Sequence, residues 1–238
     1  MHNTFITKDF DWGFAGGARP VSYANRLLRL FGSKLVVRGF GSSGAMSNIE
    51  QRINFYHLVS QVLAYQVPGD FIEVGTFTGS SAVLITRVLA GEATTPRTLH
   101  VYDSFIANWG EPNPRGRLEA HFRERKLMLP AIHQGLYSET IPAQLPQQIA
   151  FMNIDCGFGG DPRQHADTIA SVLEAVYPRL AQGAVVSLID YWDAAESAEV
   201  INVNPGVHPG CTRFLAGKPE RVSVLYAAEY LHAYFRKL

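Results

Sequence analysis

At 238 residues, with 47% hydrophobic and 18% charged content, the chain is long enough for one well-cored α/β domain. Lys plus Arg and Asp plus Glu both number 21, so the formal net charge is zero and no basic field exists to hold a polyanion; nucleic acid is not expected as a partner. Two cysteines cannot make a disulfide framework, the first residues lack a basic stretch followed by an apolar core, and no apolar run approaches the ~18 residues of a membrane span, so a cytoplasmic protein without a span is expected.

Residues 1–45 mix glycines (Gly13, Gly16, Gly17 and a cluster over 39–44) with a short amphipathic stretch from Tyr23 to Phe31, and read as an arm or lid ahead of a main domain over 46–238. Ser47 and Glu50 have capping-box spacing before Ile53, Phe55, Leu58, Val59, Val62 and Leu63, one face of a helix running to about Gln66. Strands are then predicted at Phe71–Val74, Arg97–Tyr102, Ala131–His133, Ile149–Ile154 and Ala184–Ile189. Helices are predicted from Ser80, over Arg115–Met128, and from about His165 to Leu180. The alternation implies parallel strands joined by right-handed crossovers. Arg221–Tyr226 and Tyr230–Phe235 lie close enough in the chain to form an antiparallel pair at the end.

The first strand, entered through Pro68-Gly69-Asp70, runs into Gly75-Thr76-Phe77-Thr78-Gly79-Ser80-Ser81, which places a tight turn at a strand-to-helix junction, where α/β sheets bind ligands. Gly75 supplies conformational freedom, Gly79 allows close packing of the helix start, and Ser80 and Ser81 are available to free amides. A dinucleotide would set its pyrophosphate here, but Glu73 would repel it and Phe77 stands where a second glycine belongs. A strand-end carboxylate suits a cation, such as the ammonium of S-adenosylmethionine. Asp103, followed by Ser104 and Phe105 at the end of the second strand, is placed to accept from both ribose hydroxyls; its alternative role is a cap or turn residue.

With these residues placed, the chain resembles the class I S-adenosylmethionine-dependent methyltransferases, and more narrowly the macrocin and mycinamicin sugar O-methyltransferase family. The resemblance rests on Asn48-Ile49-Glu50-Gln51-Arg52, on the segment Pro68 to Gly75, on Val101 to Phe105, on Tyr177 to Gly183, on Asp190-Tyr191, on Gly210-Cys211 and on Tyr234 to Lys237. It implies a Rossmann-like seven-stranded, mostly parallel sheet with helices on both faces and an antiparallel last strand. The implied activity is methylation of a sugar hydroxyl on a small-molecule glycoside or glycan. The implied cofactor contacts are Glu73, Gly75, Thr76, Phe77, Gly79, Ser80, Ser81, Asp103, Ser104, Phe105, Gly135 and Asp155, with His133 and Gln134 beside Gly135 near the adenine.

Many members hold magnesium with a D-x-D pair and a D-D-Y triplet. Here Asp155 matches the first acid of the pair, but Gly157 stands in the second position, and Ile189 replaces the first acid of the triplet, leaving Asp190 and Tyr191. Magnesium accepts one or two carboxylates plus waters and substrate, so Asp155 and Asp190 are the candidate ligands for Mg2+. Methyl transfer to an alcohol also calls for a general base, for which Asp155, His165 and Asp190 are the catalytic candidates; His165 reads equally as an exposed helix-start residue. Phe105, Trp109, Tyr191 and Trp192 fall in loops on the same side of the sheet, where they could stack on adenine or a sugar face. Cys211 has no accompanying histidine arrangement and is assigned no chemistry. Two further readings remain: a member that binds the cofactor without catalysis, and a methyltransferase with a nitrogen or carbon acceptor. A homo-oligomer is expected, with the arm crossing to a neighbour.

Overall fold

The computed structural model describes residues 13–14, 23, 26–28, 30–32, 38–39, 47, 49–106, 110–157, 161–192, 204–227 and 231–238. The arm expected over residues 1–45 therefore lies mostly outside the described residues, and Trp109 and the loop residues 158–160 lie outside them altogether.

Seven strands form one sheet: β1 (Asp70–Val74), β2 (Leu99–Asp103), β3 (Ala131–Gln134), β4 (Ile149–Ile154), β5 (Leu180–Ile189), β6 (Ser223–Leu225) and β7 (His232–Arg236). Their order across the sheet is β3-β2-β1-β4-β5-β7-β6. The first five pair in parallel, whereas β7 runs antiparallel to both β5 and β6. The expected sheet and its antiparallel ending are thus present. β4 is buried along its whole length, as a central parallel strand covered on both faces must be.

Among the described residues, the helices that accompany the sheet are α1 (Ile49–Ala64), α2 (Ser80–Glu92), α3 (Pro114–Glu124), α4 (Tyr137–Gln144), α5 (Pro162–Val176) and α6 (Val207–Leu215). The predicted face of α1 is the buried one at Phe55, Leu58, Val59 and Val62, each of which contributes roughly 1.5–3 kcal/mol on leaving water. α2 has almost no polar face, because it packs against α1 and α3 as well as β2. The capping box is not formed: the buried Oγ of Ser47 has no hydrogen-bond partner among the described residues.

Several boundaries differ from expectation. α3 stops at Glu124 rather than Met128, because Lys126 adopts a left-handed conformation (φ 54°) that breaks the helix. α5 begins three residues earlier than expected, capped by Asp161, whose side chain accepts from the Arg163 amide, and ends in a 3-10 turn at Tyr177–Arg179. α4 and α6 are not among the predicted elements; each contains a proline, Pro142 in α4 and Pro209 in α6. In α6, Pro209 falls in the first turn, where its missing N–H has no intrahelical acceptor to lose.

The order 3-2-1-4-5 means that the chain winds outward in opposite directions from β1 and β4. A crevice therefore opens at their carboxyl ends, the topological switch point of an open α/β sheet.

Candidate active site

The turn after β1 lies at the bottom of this crevice. Gly75 has φ 83°, and a Cβ there would sit 2.2 Å from the Asp155 carbonyl oxygen, so the backbones leaving β1 and β4 touch through the absence of a side chain. At Gly79 (φ 80°) the close neighbour is Leu118 of α3, and α2 starts there without a side-chain cap. Ser81 is buried in the first turn of α2 and helps hold down the pKa of Glu73.

Asp103 closes the other side. Its Oδ2 accepts from the amides of Thr76 and Phe77, both at 2.8 Å, and its Oδ1 accepts from Phe105 N at 2.6 Å. The turn role weighed for Asp103 is therefore real, and through the same carboxylate Asp103 fixes the glycine turn. Each carboxylate oxygen has lone-pair capacity beyond one or two amides, and Asp103 is half-buried, so the side chain keeps acceptor capacity toward the crevice. The Gly135 amide donates to the Asp103 carbonyl at 3.0 Å, which ties the end of β3 to the same corner.

Glu73 is placed differently from a carboxylate open to a ligand. It is 0% exposed; Oε1 accepts from Asn153 Nδ2 at 2.9 Å and Oε2 from the Thr76 hydroxyl. Burial pushes its carboxyl up, and the donors Thr76, Ser81 and Asn153 pull it back. Thr76, itself buried, joins the two acids, donating its hydroxyl to Glu73 and its amide to Asp103.

Asp155 and Asp190 end β4 and β5. Burial pushes the Asp155 carboxyl well above the usual carboxylate range, and Asp190, Glu73 and Asp103 add to the shift, so four acids converge here. Asp190 is also raised by burial, and Asn204 opposes the shift by donating from Nδ2 to Oδ2 at 2.6 Å. A Cβ on Gly157 would meet the Asn204 Oδ1 at 3.7 Å, so a carboxamide borders the place where the family's second acid would project. Burial raises the phenol of Tyr137, at the start of α4, far above the usual value, and Asp103, Asp155 and Glu73 add to the shift.

The donor set for a metal is short. Among the described residues no group of three or more His, Cys, Asp or Glu side chains is placed to hold an ion, Ile189 is buried and apolar, and one oxygen of Asp190 is committed to Asn204. Asp155 and Asp190 are left as the two carboxylates at this position, a thinner donor set than the four of the family pattern, with one of them already engaged by Asn204.

His165, expected as a base or as an exposed helix-start residue, is not exposed. It lies inside α5 at 1% exposure, its Nε2 donates to the Cys156 carbonyl at 3.0 Å, and its Nδ1 accepts from Gly206 N at 3.1 Å. The ring is a neutral tie between the end of β4 and the start of α6. Burial pushes both cysteine thiols up to about 12, which leaves them inert. His133 stacks on Tyr102 with ring centroids 4.5 Å apart and bonds Gln144, so it belongs to the packing of the sheet edge. Tyr191 is buried against the His208 ring, and Phe105 is buried in the turn that Asp103 holds.

Asn153, Ser187, His232 and Asn204 carry polar bonds around the site and were not singled out from the sequence. The available signal was a polar side chain inside an apolar strand: Asn153 within Ile149–Ile154 and Ser187 within Ala184–Ile189.

The sheet order and the crevice define the class I methyltransferase fold. Three solved structures share it: the O-methyltransferase NovP (TM-score 0.63, 16% identity, 80% of each chain), the TDP-rhamnose 3'-O-methyltransferase CalS11 of calicheamicin biosynthesis (0.58, 22%, 78% of each), and TomG of Streptomyces achromogenes, solved with S-adenosylmethionine (0.58, 14%, 94% of this chain and 92% of that one). Residues 43–129 match the model of the macrocin-O-methyltransferase family (TylF), so the resemblance read from the motifs is borne out. Among characterised relatives, the chain is 25% identical over 174 residues to the 8-demethyl-8-(2,3-dimethoxy-alpha-L-rhamnosyl)-tetracenomycin-C 4'-O-methyltransferase of Streptomyces olivaceus. It is 24% identical over 169 residues to the demethyldecarbamoylnovobiocin O-methyltransferase of Streptomyces niveus. Each match spans 61% of this chain and 62% of the relative's length.

Proposed function

We propose that the chain is an S-adenosylmethionine-dependent O-methyltransferase that methylates a sugar hydroxyl on a glycosylated natural product or a glycan. One observation carries the reading: at the switch point, Asp103 pins the amides of Thr76 and Phe77 while Gly75 rests against Asp155, so the glycine turn, a ribose-side acid and an acceptor-side acid share one corner. The family match and the sugar O-methyltransferases among the relatives support the same acceptor class.

The cofactor supplies an electrophilic methyl whose transfer removes a sulfonium charge. The chain's own contribution is alignment and exclusion of water, which together supply ~7–11 kcal/mol in well-oriented systems. Asp103 receives the ribose hydroxyls, and the Gly75–Gly79 backbone supports the nucleoside. Asp155 accepts the proton of the acceptor hydroxyl; burial raises its pKa toward the range of a base, and the neighbouring Asp190, held by Asn204, adds to the shift. The proposal includes a cytoplasmic homo-oligomer whose residues 1–45 cover a crevice, an arrangement that size-exclusion chromatography with light scattering tests.

Isothermal titration with S-adenosylmethionine and S-adenosylhomocysteine, followed by mass spectrometry of methyl transfer to demethylated rhamnosides, tests the function. Binding of both nucleosides and a gain of one methyl on the sugar are expected. No binding of either nucleoside ends the proposal.

A further inference from the structure

A row of polar side chains crosses the middle of the sheet, where the surroundings are otherwise apolar. Glu73 on β1, Asn153 on β4, Ser187 on β5 and His232 on β7 are each 0% exposed. Glu73 stands opposite Asn153 and Asn153 opposite Ser187 in the ladder. His232 lies two residues along β7 from Tyr234, the partner of Ser187, and so points to the same face. Their bonds are continuous: His232 Nε2 to Ser187 Oγ at 2.8 Å, Ser187 Oγ to Asn153 Oδ1 at 3.0 Å, and Asn153 Nδ2 to Glu73 Oε1 at 2.9 Å.

The row has a polarity, and the far end sets it. His232 Nδ1 is buried with no hydrogen-bond partner among the described residues. A bare ring nitrogen tolerates that place better than an N–H, because an orphaned buried donor is among the rarest features of folded proteins. The proton therefore sits on Nε2, which donates to Ser187; the Ser187 hydroxyl donates to Asn153 Oδ1; and the Asn153 amide turns its NH2 toward Glu73. Every donor points to Glu73, and the Thr76 hydroxyl donates from the other side. Reversing the row would bury an N–H on Nδ1 against nothing and would require a proton on Glu73. Burial pushes the His232 imidazole down to about 3, so it stays neutral and holds a single proton.

We propose that His232, Ser187 and Asn153 form a directional relay that holds Glu73 as a carboxylate beneath the cofactor turn, which makes them positioning residues for a cationic nucleoside. The relay rests on the proposed cofactor. Its effect is a fixed negative charge behind Thr76, felt by the ammonium and the sulfonium of S-adenosylmethionine, although His232 lies three strands away on β7. The relay explains why three costly polar groups occupy strand interiors that apolar residues would fill with less desolvation.

Two measurements test it. Histidine 15N spectra of the wild-type chain are expected to show His232 as the neutral Nε2–H tautomer; an Nδ1–H or charged ring overturns the relay whatever the chain binds. Titration calorimetry with S-adenosylmethionine is then run on His232→Phe, His232→Gln, Glu73→Gln and the His232→Phe/Glu73→Gln double variant. His232→Phe should weaken binding on the order of tenfold, the scale of one charge-assisted hydrogen bond. His232→Gln, which keeps a donor, should restore most of the affinity, and His232→Phe should add less than about twofold in the Glu73→Gln background. An equal penalty in both backgrounds marks a merely structural role and overturns the proposal. If His232→Phe does not fold, Ser187→Ala removes the same link with a smaller change in volume and replaces it in the cycle. Failure of the wild type to bind either nucleoside overturns the function instead, and the tautomer still decides the relay.

Discussion

Asp155 is buried among three other acids, Asp190, Glu73 and Asp103, at the position proposed for the general base. Its folded pKa is raised, so the native state prefers the protonated acid; stability is full below the ordinary aspartate value of about 3.9 and is lost as pH rises through the raised value. Asp155→Asn removes that loss, and a melting temperature higher than wild type by roughly 2–4 °C at pH 8, with a smaller gain at pH 5, is the expected outcome in thermal unfolding. The same substitution should lower kcat by ~10²–10⁴ with cofactor affinity kept, and wild-type kcat/KM should climb with pH as the base ionises. Asp103→Ala should instead weaken S-adenosylmethionine binding by roughly 10–100-fold in calorimetry, since it frees the Thr76 and Phe77 amides as well as losing the ribose acceptor. Glu73 and Asp103 were legible in the sequence as acids at strand ends. Their partners were not, because those bonds join residues 80 and 27 positions apart and depend on which strands neighbour one another.

The junctions between elements hold the crevice in shape. Gly75→Ala would drive a methyl into the Asp155 carbonyl, 2.2 Å from the ideal Cβ, at a φ that L side chains rarely adopt. Loss of cofactor binding, with destabilisation of more than ~2 kcal/mol in urea unfolding, is expected. His165→Leu cuts the tie from β4 to α6 and should cost ~1–3 kcal/mol of stability, while the shape of the kcat–pH profile stays that of the wild type; a profile that lost its ascending acid-side limb would return His165 to the catalytic set. The long periodic segments that became α1, α2, β1, β4 and β5 could be read from pattern alone. α4 and α6 could not, because proline marks a helix interior as unfavourable unless its place in the first turn, or the packing that outweighs one lost bond, is known.

At the scale of the whole molecule, the parallel core and its switch point followed from alternating strand and helix signals, whereas the place of the last strand between β5 and β6 did not, since hairpin spacing says nothing of which partner is inserted. The two-carboxylate donor set predicts that methyl transfer persists after dialysis against EDTA, with less than one metal equivalent by elemental measurement. Deleting residues 1–45 should abolish transfer while circular dichroism and the melting transition of the remainder persist; a fully active truncation would remove the lid. Because β7 is wedged inside the sheet, a ribosome that has not yet delivered residues 232–236 presents β5 with an open flank and β6 with no neighbour at all. The nascent polypeptide therefore completes its architecture only after that stretch emerges, and until then it is a client for chaperones and an easy target for proteases.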